Sequence, residues 1–206
     1  MPPPIEFYFD FISPFGYLGA TQIERVAAKY DRAVDWKPVL IGITVLKVMG
    51  LKPVPQTPLK GPYMQHDVLR LAKFFKVPFR QHDIPNVNSV AAMRAFLWIK
   101  ARDPETAKKF AQRVYTRLWV EGKDITPVAA AAEEAAAVGL DPAEVTAALA
   151  RDEVKQALKD AVDAAIAKGV FGVPYFIADG EPFWGSDRLW MLEQWLRDGS
   201  LDRPAT

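Results

Sequence analysis

Ser13 stands directly before Pro14, at the head of SPFGYLGATQIERVAAKY, in which Leu18, Ile23, Val26, Ala27 and Tyr30 recur at roughly helical spacing. Serine followed by proline is the pairing expected at a helix N-cap and first helical position. A helix start presents unpaired N–H groups and about half a positive charge, so a sulfur held there is stabilised as thiolate. The chain has no cysteine. A protein-borne thiol nucleophile, a disulfide and a thiolate metal site are therefore excluded. Ser13 is either a plain N-cap or a hydroxyl donor to an anion that a ligand brings in. Ser186 and Asp187 have a similar double reading at the start of the last helical segment: a cap and a complement to the helix dipole, or groups that hold a bound ligand. His66 and His82 are isolated, and no metal-ligand spacing or phosphate-binding glycine loop occurs.

These residues must be positioned by a chain of 206 residues, half of them hydrophobic. That is enough for one substantial core, or for a small domain with a second inserted into it. Lys and Arg number 26 against 25 Asp and Glu, for a net charge of +1, which argues against a nucleic-acid binder with its basic face. MPPPIEFYFD has neither a basic n-region nor an apolar h-region, and no apolar run approaches the ~20 residues that span a bilayer. The expectation is a soluble, cytoplasmic protein with no membrane and no nucleic-acid partner.

Ile5 to Phe9 alternates and reads as a strand, the Ser13 segment as a helix, and Val34 to Ile41 as a second strand. Residues 42–62 form a Gly/Pro-rich loop long enough to suggest a functional role, with room for a short helix near Val45 to Met49. Helices are expected over Tyr63 to Phe75, Asn88 to Arg102, and Pro104 to about Glu121. Thr126-Pro127 reads as the start of an Ala-rich helix closed by Gly139, Asp141 to Glu144 as a capping box, and Asp152 onward as a long amphipathic helix. Asp179-Gly180 between two short apolar runs signals a hairpin, and Ser186 to Arg197 a last helix. The fold class is α/β: a βαβ…ββα sheet domain (1–41 and 170–206) interrupted by an all-helical insertion (42–169).

Four blocks stand in order along the chain: FYFDFISPFGYLG (7–19), LKGPYMQHD (59–67), GVFGVPYF (169–176) and FWGSDRLWMLE (183–193). Together with the element order they resemble the DsbA branch of thioredoxin-like folds, and within it the kappa-class glutathione transferases and the 2-hydroxychromene-2-carboxylate isomerases. Redox-active relatives begin their first helix with Cys-Pro-x-Cys. Here that stretch is Ser13-Pro14-Phe15-Gly16, so dithiol exchange by this chain alone is excluded.

The resemblance implies glutathione as the bound thiol, with the Ser13 hydroxyl directed at its sulfur. It implies a cis Val173-Pro174 bond with the Val173 backbone on the cysteinyl part, Ser186 on the γ-glutamyl carboxylate and Asp187 on the ammonium group. Lys60 and Phe15 complete the glutathione-binding set. Asn88, Ser89 and Arg94 resemble a polar cluster facing the second substrate, and Phe15, Trp119 and Trp184 are candidate aromatic walls, although aromatics at such positions are more often core. Leu51 departs from the pattern, standing in GLKPV where relatives often have Asn. The implied activity is glutathione-dependent isomerisation of an aromatic-degradation intermediate such as a chromene carboxylate, in a homodimer. The alternatives are a kappa-type transferase that forms conjugates and a catalytically silent binding protein.

Overall fold

The computed structural model describes residues 2–202; the last four residues of the 170–206 stretch lie outside them. Ile5–Phe9 forms the central strand β1, and its side chains alternate between two cores. Phe7 stacks on Phe176 at 5.3 Å and meets Trp36 edge-on at 4.8 Å, while Tyr8 points the other way, to Val39, Val170 and Tyr175. β2 (Val34–Pro38) pairs parallel with β1, and α1 (Pro14–Ala28) makes the crossover. β3 (Tyr175–Ala178) and β4 (Glu181–Trp184) return antiparallel, giving the order β2-β1-β3-β4. Their hairpin turns on Asp179 (φ 53°) and Gly180 (φ 88°), the left-handed pair of a type I′ turn. Arg32 holds Asp179 there through two 3.0 Å bonds.

Between β2 and β3 lie α2 (Lys60–Phe75), α3 (Val90–Lys100), α4 (Pro104–Trp119), α5 (Val128–Ala136), α6 (Pro142–Ala150) and α7 (Asp152–Ala167); α8 (Leu189–Asp198) follows β4. This is the expected α/β plan, with sheet strands at both ends and helices between. Phe96 of α3 and Tyr115 of α4 meet Phe9 and Phe11 at 5.0 Å each, so one core runs from the sheet into the helices. Asp103 caps α4, and Asp141 caps α6 at the helix start read from sequence. α5 ends at Ala136 and the chain turns away at Gly139 (φ 91°), with Leu140 N–H reaching back to Ala135 O. Among the described residues, no helix is long and apolar enough to cross a membrane.

Several boundaries differ from expectation. β2 stops at Pro38 rather than Ile41, because the Ile41 N–H leaves the sheet to donate to the Asp10 carboxylate at 2.9 Å. The 42–62 loop contains a π-helical turn, Gly42–Val48, and a 3₁₀ turn, Val54–Gln56. α2 starts three residues early, at Lys60. Thr126 does not cap α5: its hydroxyl accepts from Asn88 N–H at 3.0 Å, and the helix begins at Val128.

Candidate functional site

Ser13 has extended backbone (φ −93°, ψ 118°) and its Oγ accepts the Gly16 N–H at 3.0 Å, which makes it the N-cap of α1. The same hydroxyl points its hydrogen toward Val173 O, at 3.5 Å. Ser13 is buried, so its hydroxyl and the first α1 N–H groups lie in an environment that strengthens their pull on an anion. Two glycines of the motif let the neighbouring elements close in. A Cβ at Gly16 would lie 3.1 Å from Asp10 O, and one at Gly19 would lie 2.8 Å from the Pro174 Cβ.

The Val173-Pro174 bond is cis. Neither the N–H nor the C=O of Val173 has a backbone partner among the described residues, so an edge of main chain is left free opposite Ser13. Gly185 N–H donates to Pro174 O at 2.9 Å, which draws the 3₁₀ turn Ser186–Arg188 up against the same corner. Ser186 does not cap α8. Its Oγ is buried and finds no hydrogen-bond partner among the described residues. Asp187 pairs with Arg188 at 2.9 Å on the half-exposed rim, and a Cβ at Gly185 would strike its Oδ1 at 2.3 Å. The Trp184 indole lies against Gly172, where a Cβ would come within 2.8 Å of its Nε1, and meets Phe171 at 4.8 Å; more than half of Trp184 remains exposed. Ser13, Val173, Pro174, Trp184, Ser186 and Asp187 are thus gathered at one end of the sheet.

The other expected residues are placed less directly. Lys60 is exposed at the start of α2, a helix that packs on α1, and Phe15 is half-buried against the core. Leu51 is exposed. Asn88 uses its Oδ1 locally, accepting from Val90 N–H at 3.3 Å at the head of α3. Ser89, expected to face a second substrate, is buried and donates instead to Asp10 Oδ1 at 2.5 Å. Arg94 is half-buried on α3, its enclosed Nε without a partner among the described residues. Trp119 is a buried strut rather than a pocket wall, its indole N–H bonded to Phe11 O at 2.8 Å. His82 leans on Trp119 at 4.7 Å, and burial pushes its pKa down. His66 is exposed on α2.

Sequence reasoning missed Asp10. It is completely buried between β1 and α1, and burial pushes its carboxyl up to about 6 against the pull of bonds from Ser89, Ile41 and Ile12. Its main-chain oxygen accepts both the Ser13 N–H at 3.1 Å and the Tyr115 hydroxyl at 3.2 Å. The signal was available: a single acid inside the aromatic run FYFDF.

The assembled corner offers three things at once. A hydroxyl on the positive end of α1 can hold an anion, a free main-chain edge can pair with a peptide, and a buried unpartnered hydroxyl stands beside an acid on the rim. That set suits a small, extended peptide carrying a thiol and charged termini.

The DSBA-like thioredoxin domain family matches residues 4–197. The human protein named glutathione S-transferase kappa 1 is 30% identical over 95% of this chain and 94% of its own length. The 2-hydroxychromene-2-carboxylate isomerase of Sphingobium xenophagum is also 30% identical, over 96% of this chain and 100% of its own. Among solved structures, a 2-hydroxychromene-2-carboxylate isomerase superposes with a TM-score of 0.83 at 25% identity, covering 92% of each chain.

Proposed function

Because this chain belongs to the DSBA-like thioredoxin domain family, beside the kappa-class glutathione transferases and the 2-hydroxychromene-2-carboxylate isomerases, we propose that it is a glutathione-dependent isomerase of a small aromatic or chromene carboxylate. The observation that carries this reading is the meeting of Ser13 Oγ, at the N-terminus of α1, with the Val173 carbonyl ahead of cis Pro174. When bound, glutathione supplies the sulfur nucleophile that a cysteine-free chain lacks.

The residues present fit that ligand. The unpartnered Ser186 hydroxyl is suited to the γ-glutamyl carboxylate and Asp187 to the ammonium group, with Val173 pairing main chain to main chain. Ser13 turns its hydrogen from Val173 O to the sulfur and, with the first N–H groups of α1, lowers the free energy of the thiolate. A shift of one pKa unit requires only about 1.4 kcal/mol of differential stabilisation. Phe15 and Trp184 are assigned to the rim, and Lys60, which has no carboxylate within ion-pair distance among the described residues, faces the negative charge of glutathione. Asn88 and Arg94 are kept as the polar side of the second-substrate pocket, Ser89 acting from behind it. The isomerisation itself is addition of sulfur to an electrophilic carbon, bond rotation or ring opening, and elimination of the unchanged thiol.

Calorimetry with glutathione followed by product analysis with a chromene carboxylate tests the proposal. An isomer with no net consumption of glutathione supports it, a stable conjugate makes the chain a transferase, and no glutathione binding at millimolar concentration rejects both. The transferase reading stands second because the human kappa transferase is as similar to this chain as the isomerase is. A homodimer and a cytoplasmic location complete the proposal. Leu59, 89% exposed just before α2, and Tyr63 in its first turn leave an apolar patch that a second copy would cover, and sedimentation checks this.

A further inference from the structure

Asp10 is the one carboxylate in the protein's interior that meets no cation: no Lys, Arg or His lies within ion-pair distance among the described residues, and its enclosure is complete. Every group that reaches the carboxylate is a donor. Ser89 Oγ and Ile12 N–H donate to Oδ1 at 2.5 and 3.3 Å, and Ile41 N–H donates to Oδ2 at 2.9 Å. An apolar side chain of similar volume would avoid the desolvation that a buried charge entails, yet it would leave these donors unsatisfied. The bonds come from three separate parts of the chain: the loop that carries Ser13, the end of β2 from which the 42–62 loop departs, and the head of α3. The same residue's main-chain oxygen takes the Ser13 N–H and the Tyr115 hydroxyl of α4, and Gly16 permits the close approach.

We propose that Asp10 is a positioning residue for the sulfur site, its carboxylate and carbonyl together fixing the Phe11–Ser13 turn so that the Ser13 hydroxyl and the first N–H groups of α1 stay aimed at the bound thiol. Asp10 touches no ligand; it acts through Ser13. The turn is its own product. The Ile12 N–H bond closes an Asx-type turn and the Ser13 N–H bond closes the surrounding β-turn, so the conformation that presents Ser13 is written in one side chain and one carbonyl. Ser89 acquires a role here that a substrate-facing residue would not have, as the donor that ties α3 to this turn.

The inference rests on the glutathione reading, and Asp10→Asn tests it without change of shape. The amide replaces one acceptor oxygen with a donor that faces donors. Four quantities are measured on wild type and variant: glutathione affinity by calorimetry, the pKa of the bound thiol from its ultraviolet thiolate absorbance, kcat with KM, and melting temperature. The expected result is affinity within about threefold of wild type, a bound-thiol pKa about one unit higher, and kcat about tenfold lower with KM little changed. Ser89→Ala should move the thiol pKa the same way by less, and the double variant should be no worse than Asp10→Asn alone, because the two share one bond. Wild-type thiol pKa and kcat in both variants overturn the proposal, as does a fall in kcat that tracks melting temperature alone. If wild type binds no glutathione, the glutathione reading fails by itself. Amide exchange at Ser13 and Gly16 in the free protein then decides the positioning role, which requires faster exchange in Asp10→Asn and is refuted by unchanged rates.

Discussion

Replacing Ser13 by alanine separates two jobs that one hydroxyl performs. The first is structural: Oγ accepts the Gly16 N–H at 3.0 Å and caps α1. Loss of such a cap costs about 1 kcal/mol, which for a chain of this size lowers the melting temperature by about 2–4 °C. The second is chemical. If the hydroxyl donates to a thiolate in a buried site, its removal resembles loss of one oxyanion-hole donor, about 2.7–4 kcal/mol or a 10²–10³-fold fall in turnover. Ser13→Gly distinguishes the two, since glycine is tolerated at an N-cap for a few tenths of a kcal/mol. Its stability should stay close to wild type while its turnover falls as far as that of Ser13→Ala. The assays are thermal unfolding and steady-state turnover with saturating glutathione. Turnover within about threefold of wild type in either variant, beside the expected drop in melting temperature for alanine, would reduce Ser13 to a cap and refute the reasoning.

Ser186→Ala removes a buried hydroxyl with no hydrogen-bond partner among the described residues. Stability should be unchanged or slightly higher while glutathione affinity weakens about tenfold by calorimetry, whereas a clear loss of stability would restore the cap reading. Gly19→Ala puts a Cβ 2.8 Å from that of Pro174, and the overpacking should cost about 1–3 kcal/mol in denaturant unfolding and weaken glutathione binding; wild-type values for both would show that the corner yields. Asp10 has a raised folded-state pKa of about 6 against its ordinary 3.8, so the folded state binds the extra proton between these values. Its contribution to stability is present below pH 3.8 and is lost as pH rises through about 6. The stability of wild type relative to Asp10→Asn should therefore fall by roughly 3 kcal/mol across that window, and a flat difference contradicts the assignment. Residues 42–82 carry seven Lys and Arg against one acid, Asp67, which Arg70 takes. kcat/KM for anionic substrates should accordingly decrease between about 0.1 and 1 M salt, as screening shortens from ~10 to ~3 Å; salt independence rules out that capture.

The elements that carry local signals were legible in the sequence. Asp103, Asp141 and Gly139 mark helix ends through their own backbone chemistry, and Asp179-Gly180 supplies two left-handed residues that only a tight hairpin needs. Ser13, Val173, Ser186 and Asp187 stood out in the sequence because three of them read as helix-start residues and all sit in short, distinctive blocks. What stayed hidden depends on long-range partners. The end of β2 is set by a carboxylate 31 residues away, the role of Thr126 by an N–H 38 residues away, and that of Ser89 by Asp10, 79 residues away. No local propensity encodes those meetings. Asp10 itself was visible as an acid among aromatics, a pattern whose cost of burial signals a function before any partner is known.

The most direct test of the central claim is a pH titration of the thiolate absorbance of glutathione bound to the wild-type protein. The account predicts a bound-thiol pKa at least about one unit below the ~8.5 of a free cysteine thiol, returning toward that value in Ser13→Ala. A bound thiol that titrates like the free one, in wild type and variant alike, would contradict it.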